Sequence, residues 1–578
     1  MDQRLAHCVM VLGTTSGAGK SWIATALCRW YARQGLRVAP FKAQNMSNNA
    51  RVVAGGEIGS AQYFQALAAG VEPTVQMNPL LLKPEADTRS QVILLGQVSA
   101  ELTALPWRAR HQHTWPIIAR TLDALRRQYD VIVIEGAGSP AEINLQSTDV
   151  VNMRVARHVG AACLLVSDID RGGAFAHLYG TWALMPPEDR QLLKGFVLNR
   201  FRGDASLLAP APQMLEEMTG VPVVATVPMW TGHGLPEEDG WFQYRDRLGD
   251  DDHAPAVDVL SGHSAPHAAS HQTEKAAAIW HDDEAAGASM TSPRLSTDRV
   301  TRSTQAETGA GGKALSARSA RQIALIAPPR ISNLDEFQPL ASVPGVRLVM
   351  VRDGASLPAL STDDWIILPG SKHTSSDLAW LKRERLDDWV RAHTALGGAV
   401  LGICGGLQML GERLEDPYGV EGSASGLGLL SLATVFEPEK VLRRRRLAFD
   451  ALPAGPWSAL SGLEVSGYEI HQGRTSVQSF SPPIRSRDIG LSAPLLDVGH
   501  DAHSPDARSQ SVLPDALGWC NAAGNVLGIY LHGLFENDQV LSRLFGVKGR
   551  PWADVFDGLA DHLGASFEPG VLASLIKG

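Results

Sequence analysis

Two stretches of this sequence carry residue types at spacings that could do chemistry. In the first, Gly13, Thr14, Thr15, Ser16, Gly17, Ala18, Gly19, Lys20 and Ser21 run from the end of an apolar segment into a helix-like one. Successive backbone N–H groups in such a loop can wrap phosphate oxygens, and the start of a helix favours negative charge. Lys20 would reach the β- and γ-phosphates of ATP, and the Ser21 hydroxyl would join the shell of a Mg2+ ion. A glycine-rich turn without a ligand is the plain alternative; strand, Gly-Lys-Ser and helix in that order argue against it. Further on, the apolar run 131–134 ends in Glu135 and a Gly136-Ala137-Gly138 turn. That is the usual way to present a second Mg2+ ligand beside a phosphate loop, whereas a helix-capping acid would need no buried strand to deliver it.

In the second, residues 401–411 (LGICGGLQMLG) read as strand, tight turn and helix around Cys404. Glycines on both sides permit a strained elbow that exposes the thiol, and a helix start favours the thiolate. A buried structural cysteine requires none of these glycines. Residues 528–535 (GIYLHGLF) place His532 at a strand end far downstream, the order expected of a cysteine–histidine acyl-transfer pair.

Such residues need a scaffold, and the sequence predicts an α/β one. Short β-branched runs at 7–12, 38–41, 131–135, 162–166, 195–198 and 223–227 alternate with amphipathic segments, the pattern of an open sheet with crossover helices. From 246 to 320 the pattern gives way to Ala, Ser, Gly, Asp and His, as in a flexible linker. His253, His263, His267, His271 and His281 in it read as solvated residues rather than metal ligands. Strand-like runs resume at 322–327, 346–351, 365–368, 400–403 and 526–531, interrupted by a polar excursion over 476–514. The expected organisation is therefore an α/β half with the phosphate loop over 1–245, a linker over 246–320 and a second α/β half over 321–578.

Composition narrows the class. With 578 residues, 44% of them hydrophobic, the chain exceeds what one core usually holds. A net charge of -9 offers no electrostatic footprint for nucleic acid, and no apolar stretch approaches the roughly 20 residues of a membrane span. The N-terminal residues do not read as a secretory signal. Five scattered cysteines suit neither a disulfide framework nor a zinc site, and a cytoplasmic location is expected.

The loop 13–21 is one residue longer than the strict phosphate-loop spacing counted from Gly13, and so resembles the dethiobiotin-synthetase-like branch. Thr15 stands where the related ParA/MinD partition ATPases carry a second lysine. The Cys404 and His532 motifs resemble class I (triad-type) glutamine amidotransferase domains. That likeness implies an oxyanion hole made by Gly370 and Ser371, in the loop 368–372, together with Gly405. Such domains usually follow the histidine with Pro and then a Glu that orients the imidazole. Here those places hold Gly533 and Leu534, so no acidic third member is assigned. Glu536 lies nearby without a role, and slow glutamine hydrolysis is expected.

An ATPase of the first kind followed by a glutaminase of the second resembles the cobyric acid synthase and cobyrinate a,c-diamide synthase group. The runs 40–47 (PFKAQNMS), 57–62 (EIGSAQ), 77–84 (MNPLLLKP), 135–145 (EGAGSPAEINL), 168–173 (DIDRGG) and 199–204 (NRFRGD) resemble the cobyric acid synthase branch. Asn48, Ser60 and Leu407 depart from it, where Leu, Arg and Tyr are more usual. The resemblance implies ATP- and glutamine-driven amidation of the b, d, e and g carboxylates of a cobalt-corrin a,c-diamide. Similarity to dethiobiotin synthetase implies Lys42 at the transferring phosphoryl group or the substrate carboxylate, and Glu57 with Ser21 and Glu135 around Mg2+; Asn45, Ser47 and Asn144 are candidate substrate contacts. The rivals are amidation of the a and c carboxylates instead, and a regulatory ATPase that keeps a glutaminase-like domain for binding.

Overall fold

The apolar runs form two main sheets in the computed structural model, which describes residues 5–86, 89–236, 257–259, 320–477 and 509–577. In the first, six parallel strands lie in the order Val223–Pro228, Leu193–Phe201, Ala162–Asp168, His7–Gly13, Val131–Glu135, Val38–Phe41. Each matches an expected strand, some extended by a few residues. Side chains alternate across a strand, so a sheet covered on both faces needs apolar residues at every position. Cys8, Met10, Leu12, Ile132 and Ile134 accordingly join one core layer, and Val9, Val11, Val131 and Val133 the other.

That second layer is closed by the far end of the chain. Val555, Phe556, Leu559 and Leu563 of helix Trp552–Ser566 share a cluster with Val9, Ile23 and Leu27, the last two on helix Lys20–Arg33. Arg29 pairs with Asp557 at 2.8 Å, and the Tyr31 hydroxyl donates to the Leu572 carbonyl at 2.8 Å. The expected extent of the C-terminal half, 321–578, therefore needs correcting at its end, because the last helices complete the N-terminal core. An amphipathic helix buries its apolar stripe against whichever face matches it, however distant in sequence.

The second sheet has the order Val257–Val259, Val346–Val351, Arg321–Ile326, Trp365–Leu368, Ala399–Ile403, Val526–Ile529, Gly518–Cys520, Gln510–Leu513. It is parallel as far as Val526–Ile529 and antiparallel beyond. Val257–Val259 is an edge strand inside the stretch expected to be a linker. The remainder of 246–319, with its five histidines, and residues 478–508 of the second excursion lie outside the described residues.

Two smaller features were not expected, because the hairpin strands have only four residues each and the ribbon is interrupted by Pro438 and by the charged run 443–446. A hairpin, Ala50–Val53 with Gly56–Gly59, lies between strands of the first sheet in sequence. A long ribbon, Leu432–Ala448 with Glu464–Val477, reaches that hairpin: Tyr468, Ile470 and Leu442 pack with Ala50, Val52, Leu81 and Ile93. All described residues belong to one compact unit. No described helix is long and apolar enough to cross a membrane.

Leu559 is fully buried in the shared layer, whereas Leu207 is 81% exposed. Leu559→Ala should destabilise the protein by about 2–5 kcal/mol, while Leu207→Ala should stay within about 0.5 kcal/mol of the parent. Urea unfolding of the three proteins measures both.

Candidate active sites

Three neighbouring parallel strands of the second sheet end on the same side, and each is followed by residues of one cluster. After Trp365–Leu368 come Gly370 and Ser371; after Ala399–Ile403 comes Cys404; after Val526–Ile529 comes His532. The registers Leu368↔Gly402 and Ile403↔Ile529 align these ends. Cys404 has φ 52° and ψ -106°, a strained conformation at the start of helix Gly405–Leu410. Its N–H donates to the Ile529 carbonyl at 2.8 Å, and its sulfur lies 3.5 Å from the Ile470 carbonyl oxygen. The elbow needs glycine after it: a Cβ on Gly406 would sit 1.9 Å from the Leu368 carbonyl oxygen.

The expected oxyanion loop is drawn into the same place. A Cβ on Gly405 would approach the Ser371 backbone nitrogen to 2.8 Å, and one on Gly370 would approach His532 Cε1 to 3.1 Å. Gly370, Ser371, Gly405, Cys404 and His532 thus lie together, although no short stretch of sequence contains them all.

The missing acid is present, and it comes from upstream. Arg321–Ile326 leads to a short helix, Leu334–Phe337, whose Glu336 Oε1 accepts a hydrogen bond from His532 Nδ1 at 2.8 Å. Its Oε2 accepts the Gly533 N–H at 2.8 Å. The expectation of a histidine without a carboxylate partner is therefore corrected. Glu536, the nearest acid in sequence, instead meets Arg51. Gly533 explains the altered motif: at φ 83° it has a conformation closed to proline, and it supplies an N–H that proline lacks. The only signal in the sequence was a pair of acids, Asp335 and Glu336, just beyond a strand end.

His532 is fully buried, and the Tyr468 ring stacks on it with centroids 5.2 Å apart. Burial alone would lower the imidazole pKa, but the Glu336 carboxylate and Cys404 outweigh it and raise it to about 10. Among the described residues Nε2 has no hydrogen-bond partner. An imidazolium there is the cation that a cysteine nucleophile requires beside it.

A second constellation lies at the ends of the first sheet. Gly19, at φ 98°, caps helix Lys20–Arg33. Lys20 Nζ donates to the carbonyls of Thr15 at 2.9 Å and Gly138 at 3.2 Å, so the phosphate loop and the Glu135 turn face each other. Glu135 Oε1 accepts from Ser21 Oγ and from Lys42 Nζ, both at 2.8 Å, and Oε2 accepts from Gln65 at 2.6 Å. Burial would raise the Glu135 carboxyl, yet Lys42, Ser21 and Gln65 hold it below the usual range. A hydroxyl and a carboxylate side by side fit Mg2+, which takes few protein oxygens and completes its shell with phosphates and water.

Glu57 is placed differently from expectation. Its carboxylate pairs with Lys83 and, at 2.5 Å, with Lys440 of the ribbon rather than with Ser21 or Glu135. Burial alone would raise this carboxyl, but the two lysines pull it down to about 2. Of the expected substrate contacts, Asn45 and Ser47 are buried and Asn144 is exposed. Asn45 donates to Gln62 at 3.3 Å, and Ser47 Oγ accepts the Asn49 N–H at 3.0 Å.

Comparisons with known proteins agree with this division. Residues 9–232 match the CobQ/CobB/MinD/ParA nucleotide binding domain, and residues 322–540 match the CobB/CobQ-like glutamine amidotransferase domain. The chain is 58% identical over 577 residues to a protein of Polaromonas sp. (strain JS666) named cobyric acid synthase, covering 100% of this chain and 99% of that one. It is 57% identical over 570 residues to the cobyric acid synthase of Variovorax paradoxus, covering 99% of each. Among solved structures, PurLQS from Thermotoga maritima aligns over 42% of this chain and 99% of that one, at 16% identity and a TM-score of 0.27. At that score the likeness carries no argument.

The Glu336–His532 contact predicts a pH effect. Because the carboxylate raises the imidazole against burial, Glu336→Gln should lower its pKa. The alkaline limb of the glutaminase kcat/KM profile should then move to lower pH, with the maximum reduced roughly 100-fold or more. A profile that drops without moving would contradict the assignment.

Proposed function

The chain belongs to the cobyric acid synthase family, and we propose that it amidates the b, d, e and g carboxylates of (adenosyl)cobyrinic acid a,c-diamide with ATP and glutamine. The product is (adenosyl)cobyric acid, an intermediate of cobalamin biosynthesis. The observation that carries the chemistry is the presence, in one compact unit, of the Ser21–Glu135–Lys42 cluster and the Cys404–His532–Glu336 cluster. Family membership supports the choice of acceptor. The free cysteines suit a cytoplasmic enzyme.

At the second cluster the Cys404 sulfur attacks the side-chain amide carbon of glutamine. The backbone N–H groups of Ser371 and Gly405 stabilise the oxyanion that forms. His532, held by Glu336, gives a proton to the departing ammonia. It then accepts one from the water that cleaves the thioester and releases glutamate.

A carboxylate is a poor acyl donor, so the first cluster must activate it. A corrin carboxylate oxygen attacks the γ-phosphorus of ATP, ADP leaves, and an acyl phosphate results. Lys20 and Lys42 offset the charge of the transferring group, and the loop 13–21 aligns it. Ser21 and Glu135 would hold Mg2+, which supplies charge neutralisation to the phosphates when bound. Ammonia attacks the acyl carbon, forming the amide and expelling phosphate. Asn45, Ser47 and Asn144 remain the proposed contacts to the corrin.

Mass spectrometry of corrins incubated with the enzyme, ATP and glutamine tests this reading. The a,c-diamide should gain amide groups in succession; turnover of the non-amidated acid alone would overturn it. Cys404→Ala should abolish glutamine-dependent amidation and keep the ammonia-dependent reaction at alkaline pH, whereas Lys20→Ala should stop both.

A further inference from the structure

The acid of the Cys404–His532–Glu336 cluster is held in place by the other half of the chain. Glu336 closes the segment 333–336, which begins with Asn333 in the left-handed region at φ 54°. Asparagine tolerates this region better than other non-glycine residues, and here both ends of its side-chain amide are also held. The segment is held by three consecutive residues of the N-terminal half. Asn49 Oδ1 accepts the Leu334 N–H at 3.0 Å, and the Ala50 N–H donates to Asn333 Oδ1 at 3.1 Å. Arg51 Nε donates to Asp335 Oδ2 at 3.1 Å; another guanidinium nitrogen meets the same oxygen, and the third reaches Glu536.

The same contacts continue to the imidazole. Asn333 Nδ2 donates to the Tyr468 hydroxyl at 3.2 Å, and Tyr468 is the ring stacked on His532. The Arg51 guanidinium lies 5.3 Å from the Tyr468 centroid and 5.0 Å from that of Phe64. Arg51 is 1% exposed. A guanidinium so removed from water must keep its carboxylate partners, and its planar fork fixes their direction as well as their distance.

We propose that Arg51 is a positioning residue for glutamine hydrolysis: through Asp335 and the segment 333–336 it sets where Glu336 stands, and so orients His532 from the opposite half of the chain. This rests on the glutaminase reading above. Residues 49–51 also continue directly from Asn45 and Ser47, the proposed corrin contacts. The segment that positions Glu336 thus adjoins the proposed corrin contacts in sequence.

The test uses the full chain carrying Arg51→Met, Arg51→Lys or Asn49→Ala, with glutaminase kcat and KM measured beside ammonia-dependent corrin amidation. Arg51→Met should lower the glutaminase kcat roughly 100-fold, the scale of a misplacement of about 1 Å, with little change in KM for glutamine. Ammonia-dependent amidation should persist, which reports that the variant is folded. Arg51→Lys should recover part of the kcat, and Asn49→Ala should show a smaller loss of the same kind. An unchanged kcat in Arg51→Met would overturn the proposal. So would a parallel fall of both activities in every variant, which marks a structural role alone. A parent protein that hydrolyses no glutamine would instead overturn the functional reading, and this inference with it.

Discussion

A carboxylate taken out of water must find a cation or several donors, or else give up its charge. This chain buries Glu57, Glu135, Asp335 and Glu336, and much of its organisation follows from supplying their partners. Lys42, Ser21 and Gln65 converge on Glu135; Lys83 and Lys440 on Glu57; Arg51 on Asp335; His532 and the Gly533 N–H on Glu336. Removing one partner from such a pair costs about 3–5 kcal/mol. Two of the pairs, Lys440–Glu57 and Arg51–Asp335, join the two halves of the molecule. Beside its apolar packing, the contact between the halves thus includes groups whose separation would leave charges stranded.

Both sites use the same property of parallel sheets. Neighbouring strands point the same way, so their carboxyl ends form one rim, and loops leaving that rim face each other. In the first sheet His7–Gly13 and Val131–Glu135 are neighbours, which brings the phosphate loop against Glu135. In the second, four adjacent strands deliver Glu336, Ser371, Cys404 and His532. A chemical site built from remote parts of a chain needs no special device beyond strand order and register.

The ribbon Leu432–Ala448 with Glu464–Val477 adds what the rims lack. It lays Tyr468 on His532 and the Ile470 carbonyl beside the Cys404 sulfur, and its Lys440 reaches Glu57 across the halves. One β element thereby covers the thiol site and touches the segment leading from the proposed corrin contacts.

By itself the sequence determined whatever is local. The phosphate loop, the Glu135 turn, the Cys404 elbow and the position of His532 each lie within a dozen residues, where backbone geometry and apolar period are written directly. The strands that carry them were legible for the same reason, and so was the α/β class of both halves. Tertiary structure alone decided the rest. Glu336 was illegible as the partner of His532 because 196 positions separate them and only strand order joins them. The lysine partners of Glu57, Lys83 and Lys440, were equally illegible, because they reach it by packing from 26 and 383 positions away. The helix Trp552–Ser566 read as part of the nearer half, yet its apolar stripe matched the farther one. Charge pairing and apolar burial act through space at contact distance, and a motif can record them only when the partners are also neighbours in the chain.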